Sequence, residues 1–463
     1  MSSWPPSPQW PPADLQADEF VRPPQQNDLD DAAMREAVRA ISDMVADDLK
    51  ETTDRKSARQ AVQAGVQRWV QDRLRDDVAI SFATQRRLVD AVLDERFELG
   101  MLTPYIRDSR VESIDVNGHD EVWITYSDGT CEEGPALAAS DEDLVRKIQM
   151  WALHKAYAPR EFSEANPLLN AALKPGEGDD GVGVRLSASM SVTPRPYASL
   201  RCHRLVDVTM SDLHRLGTVS RSVRAFIEAA VKARLNIMIS GATAAGKTTA
   251  LRAFSSVIDP MERIATLESD FELFFHQLRH RHRNVVAFQA RQPNSEGAGA
   301  ISLNDLIPHS LRKNIKRIFV GEVRADEITA MFEAMNTGHP GSMCTIHADG
   351  AEEVFNRIVM LWTRGPSGVH TPASVIHLNT GMTINLVVHL RMDPDTHTRF
   401  VSEVLEVMAP GDNDLPSRNT VYSPTGPAGR AMPDITPQCL DRLIAAGFDP
   451  ALLDARNATW EVT

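Results

Sequence analysis

The chain has 463 residues, 42% of them hydrophobic and 24% charged, which is enough for a sizeable core and roughly two to four domains. Its formal charge of −14 and pI near 5.5 argue against a generic grip on DNA or RNA, because such binding draws its affinity from neutralised phosphates; Arg279, His280, Arg281, His282 and Arg283 form a local basic cluster. Four scattered cysteines, Cys131, Cys202, Cys344 and Cys439, lack metal-site or CxxC spacing and point to a reducing compartment rather than a disulfide scaffold.

Residues 1–30 hold seven prolines and little aliphatic content, which predicts a disordered Pro-rich tail. No secretory leader is read there, and no stretch approaches the roughly 20 apolar residues that span a bilayer. A soluble protein is expected, with membrane contact only peripheral or through a partner. From 31 to 100 the pattern is helical. Met34, Val38, Ile41, Val45 and Leu49 recur at steps of three and four, lining one face, and further helices are predicted over Arg55–Val78 and Ala83–Phe97. Their apolar faces call for a partner surface, either the next domain or a neighbouring subunit.

Residues 101–210 read as an α+β domain and linker. Val111–Val116 alternates as a strand, Asn117-Gly118 marks a turn, and Val122–Tyr126 returns as the second strand. A helix is predicted over Asp141–Ala156, a turn over 177–181 and a strand over Val184–Met190. Residues 211–410 alternate strand-like and helix-like segments, which predicts an α/β domain with a mostly parallel sheet covered by helices. Pro and Gly return between Gly411 and Pro433, and Cys439–Ala446 reads as one short helix, so 411–463 is expected to be a small C-terminal appendage.

Gly241-Ala242-Thr243-Ala244-Ala245-Gly246-Lys247-Thr248 fits the phosphate-loop pattern G-x-x-x-x-G-K-[ST]. The two glycines let the backbone turn tightly and aim its amides at phosphate oxygens. Lys247 supplies an ammonium for the β- and γ-phosphates and Thr248 a hydroxyl for Mg²⁺. The apolar run Leu235–Ser240 before the loop suits a buried strand. Thr249–Phe254 after it opens a helix whose dipole favours phosphate.

Arg317–Glu322 is a short apolar strand ending in a carboxylate. Placed beside the strand that precedes the loop, Glu322 would face the γ-phosphate, where it could orient or deprotonate water or hold Mg²⁺ through one. Between the two, Ile264–Leu273 runs as a strand into three carboxylates, Glu268, Asp270 and Glu272, which suit a Mg²⁺–water site or a base. After Glu322, Met335–Ala348 carries His339 and His347 around a Gly/Ser/Thr-rich turn and a short apolar strand, residue types that suit a γ-phosphate sensor.

With these four blocks in order, the chain resembles the secretion ATPase superfamily, and most closely its CpaF/VirB11 branch, the traffic ATPases of type IV secretion and tight-adherence (Flp) pili. The match runs over roughly residues 95–408. Gly241–Thr248 resembles the family's Walker A, Thr266–Leu273 its Asp box, Ile318–Glu322 its Walker B and Met335–Ala348 its His box; Arg291–Gly297 resembles the R-P-P-N-x-E-G stretch. Ser269 stands where the family usually has Asp. The resemblance implies a RecA-like P-loop ATPase domain preceded by an α+β N-terminal domain and a helical segment. It implies ATP and Mg²⁺ as cofactors, held by Gly241–Thr249 with Arg185, Arg201 and Arg204 from the N-terminal domain. Thr248, Glu268 and Glu322 would serve the metal; Lys247, Glu268, Glu322, His339 and His347 would serve catalysis. It further implies a hexameric ring, cytoplasmic at the inner face of the membrane, working on an inner-membrane platform protein to drive pilin extraction or substrate export, without direct nucleic-acid contact. Two other readings stand beside this one. The first is a nucleic-acid-translocating ring ATPase, whose pore Arg279–Arg283 could line. The second is a nucleotide-gated, non-catalytic scaffold, which the change at Ser269 would favour.

Overall fold

The computed structural model describes residues 29–460 apart from 51, 53, 177–182, 205, 295, 326, 366–367, 411–414 and 458–459. The expected tail and the turn over 177–181 therefore fall outside the described residues, the tail but for its last two positions. The chain divides into two compact units between Thr103 and Pro104.

The described residues of the first unit form α1 (Asp31–Val45), α2 (Arg55–Arg75) and α3 (Phe82–Phe97). Each starts at a side chain that accepts from the first turn: Asp30 from Ala33, Asp54 from Ser57 and Ser81 from Thr84. Their apolar faces find one another, with Ile41, Val45, Val62, Val66, Leu88 and Leu93 in a shared core. A Cβ at Gly65 would lie 2.3 Å from Val45 Cγ1, so the glycine sets how closely α2 approaches α1. The partner surface that the sequence called for is thus supplied within the unit itself.

The second unit carries two sheets. After α4 (Thr103–Arg107) come β1 (Val111–Asn117), β2 (Val122–Tyr126), β3 (Cys131–Glu133), α5 (Asp141–Met150), β4 (Leu168–Leu173), β5 (Val184–Ser189) and β6 (Tyr197–Cys202). The strands form one antiparallel sheet in the order β3-β2-β1-β6-β5-β4. The helix expected over 141–156 is α-helical only to Met150 and continues as a π-helical turn over Trp151–Lys155.

Then follow α6 (Met210–Arg215), α7 (Arg221–Lys232), β7 (Ile237–Gly241), α8 (Lys247–Ser255), β8 (Ile264–Glu268), β9 (Val285–Gln289), α9 (Leu303–Leu311), β10 (Arg317–Val323), α10 (Glu327–Asn336) and β11 (Met343–His347). The chain closes with α11 (Glu353–Trp362), α12 (Ala373–Thr383), β12 (Leu386–Met392), β13 (Arg399–Pro410), β14 (Pro416–Ser423), β15 (Met432–Pro433) and α13 (Leu440–Ala445). The second sheet has nine strands in the order β15-β14-β13-β12-β7-β11-β10-β8-β9. From β12 to β9 all neighbours are parallel; β13, β14 and β15 extend the sheet antiparallel. Ile237 and Ile239 face one core and Met238 the other, which is why the central strands read as unbroken apolar runs.

The described residues of the span 411–463 do not form a separate appendage. β14 and β15 continue the sheet, and Tyr422 is fully buried edge-on against Phe226 at 5.3 Å between centroids. The buried Glu406 carboxylate accepts from the amides of Gln438 at 2.7 Å and Cys439 at 2.8 Å, pinning the start of α13. The Pro and Gly residues that signalled a loop flank a short strand instead. The strand order also corrects an expectation. β10 does not lie beside β7; β11 is inserted between them, so the strand of the histidine motif separates the two motif-bearing strands. Among the described residues no helix is long and apolar enough to cross a membrane.

Candidate active site

The phosphate loop leaves the sheet at the C-terminal end of β7 and enters α8. Gly246, at the helix N-cap, has φ +88°, a left-handed conformation that favours glycine. Gly241 is needed for space: a Cβ there would lie 2.6 Å from the carbonyl oxygen of Leu390 on β12. Ala244 also has positive φ, +63°, without being glycine. The Lys247 ammonium folds back onto its own loop, donating to the carbonyls of Gly241 at 2.9 Å and Ala242 at 2.8 Å. Burial pulls that ammonium below its ordinary range; the charges of Glu322 and Glu272 oppose this, and those of Arg324 and Arg201 add to it.

The acidic segment after β8 supplies the opposite wall. Thr248 Oγ1 donates to Glu272 Oε2 at 3.3 Å. Glu268 is buried, and its Oε1 accepts from the amides of Glu272 at 3.0 Å and Leu273 at 2.9 Å, while Oε2 has no partner. Burial lifts the Glu268 carboxyl to about 8, against the pull of those two amides. A Cβ at Gly321 would come within 3.0 Å of Glu268 Oε1, so β10 lies against this carboxyl. Glu322 is held by Arg324, through Nε at 2.7 Å and Nη2 at 2.5 Å. Asp270 instead faces Arg160, at 3.8 Å, and Gln289, at 3.3 Å.

The three arginines expected from the N-terminal sheet part ways. Arg185 and Arg201 stand opposite each other on β5 and β6. Arg185 Nη1 reaches Glu272 Oε1 at 3.1 Å, joining the carboxylate that Thr248 touches. Arg201 lies 3.9 Å from Glu112, which also faces Arg399 at 3.7 Å, and Arg399 donates to the loop carbonyl of Ala244 at 3.0 Å. Arg204 is not brought to the loop. Its guanidinium donates to the carbonyls of Val111 at 2.7 Å, Ile106 at 2.6 Å and Tyr105 at 3.4 Å, inside its own domain.

The two histidines also separate. His347 Nδ1 is 3.0 Å from the Gly241 carbonyl; since a carbonyl only accepts, Nδ1 is the donor of this bond. β11 pairs with β7 from Met343↔Ile237 to His347↔Gly241. His339 precedes β11, so it lies toward the other end of the strands from the loop, a strand length of roughly 13 Å away. There its Nδ1 meets the Ala334 carbonyl at 3.2 Å. The basic cluster is likewise no continuous face: His280 and Arg281 pair with Asp207 at 3.0 and 2.5 Å, and His282 is buried against Phe275.

The comparisons with known proteins bear on the same residues. Residues 178–378 match the family model described as type II/IV secretion system protein. Over 297 residues the chain is 32% identical to a putative conjugal transfer protein of Mycobacterium tuberculosis, covering 64% of this chain and 80% of that relative. The chain belongs to the type II/IV secretion ATPase family. It is also 31% identical over 175 residues to VirB11 of Agrobacterium tumefaciens, 38% of this chain and 49% of that protein. Among solved structures, the Legionella pneumophila ATPase DotB shares the fold with a TM-score of 0.50 at 19% identity, over 66% of this chain and 79% of DotB. The chain is accordingly a nucleotide-binding secretion ATPase with a RecA-like domain.

Several residues of this ATPase site carry no local sequence signal. Arg399 on β13 and Glu112 on β1 reach the loop only through the tertiary fold. Glu272 lay within the acidic run, but nothing in the spacing singled it out from Asp270. Arg252 is buried on α8 and donates to the Glu272 carbonyl, and burial lowers its guanidinium to about 10. Its helical position alone reads as surface.

Proposed function

We propose that this ATPase is the traffic motor of a secretion or pilus-assembly machine of the CpaF/VirB11 type. The observation that carries the reading is a convergence on one loop. Lys247, Thr248, Glu272 and Glu322 share the loop's charge environment, Glu268 lies just behind Glu272, and Arg185 of the N-terminal sheet is bonded to Glu272. Nucleotide chemistry and a second domain meet at a single carboxylate.

Lys247 would leave its loop carbonyls for the β- and γ-phosphates. The donor set suits Mg²⁺, a hard cation that takes oxygen ligands: Thr248 offers a hydroxyl, and the unpartnered Oε2 of Glu268 is a buried oxygen aimed at no protein group. An ion held there would supply positive charge against that developing on the phosphate oxygens. Glu322 would orient or deprotonate the lytic water, and Glu268 would support the metal or that water. His347 would report the γ-phosphate to the loop's first carbonyl. Arg185 and Arg201 would neutralise transition-state charge. Closure of the N-terminal sheet on the loop would then depend on which nucleotide is bound. In the cell the motor would work as a hexamer on the cytoplasmic face of the inner membrane. A platform protein there would turn the closure into export of pilin or another substrate, without direct contact to nucleic acid.

The test is the ATPase rate per subunit as a function of protein concentration, with Glu322→Gln in parallel. A rate that rises with concentration and drops at least about a hundredfold in the variant supports a hydrolytic site completed by assembly. Full turnover in Glu322→Gln would move the base to Glu268. Tight ATP binding with no turnover at any concentration, with or without a platform protein and lipid, would favour the scaffold reading.

A further inference from the structure

Two imidazoles grip consecutive residues at the root of the phosphate loop, one from each flanking strand. His347, ending β11, bonds the Gly241 carbonyl. From the other side, His389 on β12 stands level with Ser240 on β7, and its Nδ1 lies 2.9 Å from Ser240 Oγ. Both side chains are buried, Ser240 at 0% exposure and His389 at 3%.

We propose that His389 is a positioning residue of the ATPase site, tying β12 to the strand that ends in the phosphate loop. The bond between Nδ1 and the Ser240 hydroxyl joins the two strands at the last residue before the loop's first glycine. Burial holds His389 at about 4, with the Arg391 and Lys247 charges adding to that and the Asp349 charge opposing it, so the ring stays neutral and the bond persists in the working range. Its own backbone is fixed from β13, where Ser402 Oγ donates to the His389 carbonyl at 3.3 Å. The bridge therefore spans β13, β12 and β7. Those are the elements that set where the loop amides point before nucleotide arrives, and a site arranged beforehand binds more tightly than one ordered on binding.

This inference rests on the nucleotide reading of the loop, and the test separates the two. The full chain is titrated with a fluorescent ADP analogue, methylanthraniloyl-ADP, and its thermal unfolding is recorded alongside. Ser240→Ala and His389→Ala should each weaken binding about tenfold, since each leaves a buried polar group unpaired. The double variant should be no weaker than the weaker single, as expected for two ends of one bond. His389→Asn, whose amide oxygen can take the place of Nδ1, should recover binding to within about threefold. Binding within twofold of wild type in Ser240→Ala, or penalties that multiply in the double variant, overturns the proposal, as does a fall in unfolding temperature with affinity unchanged. Should His389→Ala not fold, the smaller Ser240→Ala decides alone. Lys247→Ala marks the boundary: if it binds the analogue like wild type, the nucleotide reading fails and this inference falls with it.

Discussion

Glu268→Gln changes one atom in the densest part of the site, and its consequence can be worked out by linkage. Burial raises the Glu268 carboxyl to about 8, whereas the same group in an unfolded chain titrates near ~4.3. Between these values the folded protein holds a proton that the unfolded chain has released. Stability from this group is therefore complete below pH ~4.3 and is lost as the pH rises through about 8, with a slope of up to about 1.4 kcal/mol per pH unit. His282 and His389 act in the opposite sense. Burial holds both at about 4, so the unfolded chain takes up the extra protons and stability rises with pH until they are neutral in both states, near pH ~6.5. These histidines are common to wild type and variant, so the difference between the two proteins from pH ~6.5 to 8 reads Glu268. Gln keeps the oxygen that accepts from Glu272 and Leu273 but cannot ionise. Over those 1.5 units the nucleotide-free wild type should lose about 2 kcal/mol relative to Glu268→Gln. Calorimetric unfolding of both proteins at half-unit pH steps reads this as a widening gap in transition temperature, with the variant the more stable at pH 8. Parallel profiles for the two proteins would refute a buried, protonated Glu268.

Mg²⁺–ATP binding should release a proton at pH 7 if Glu268 becomes a metal support, and titration calorimetry in two buffers of different ionisation enthalpy would show it; identical apparent enthalpies would exclude that role. Ala244→Gly should raise stability by about 1 kcal/mol, because φ +63° strains alanine and not glycine; a lower unfolding temperature would mean the loop relies on that residue's methyl group. Arg185→Ala and Arg204→Ala should diverge. The first removes the cation on Glu272 and should slow turnover at least about tenfold. The second removes three bonds to main-chain carbonyls, which should cost about 2–3 kcal/mol of stability with turnover in the folded protein within about twofold. Equal turnover losses in both would contradict the assignment of Arg204 to structure.

What the sequence revealed was whatever depends on neighbours in the chain. The helical face of Met34, Val38, Ile41, Val45 and Leu49, the Asn117-Gly118 turn, the loop glycines and the apolar strands all announce themselves within a few residues. The sheet order does not. Nothing local says that β11 is inserted between β7 and β10, and without that His339 and His347 look equivalent, although the strand between them carries them toward opposite ends of the sheet's strands. Nor does local composition show that a Pro- and Gly-flanked segment hides β14, since its evidence is the burial of Tyr422 against Phe226, nearly 200 residues earlier. Arg185 and Arg204 likewise read alike as arginines near the end of a sheet. Only the fold shows one bonded to Glu272 and the other to its own backbone.

The three residues Glu272, Leu273 and Phe274 point three ways. Glu272 touches Thr248 and Arg185, Leu273 is sealed in the core under the loop, and Phe274 turns toward the N-terminal sheet. There its ring packs with Tyr157, His203 and His276, and a Cβ at Gly183 would lie 2.2 Å from it. Phe274 sits at φ +53°, a conformation that the surrounding rings must hold in place. The ring cluster beside the N-terminal sheet and the carboxylate that faces the phosphate loop are thus carried two residues apart on one stretch of chain.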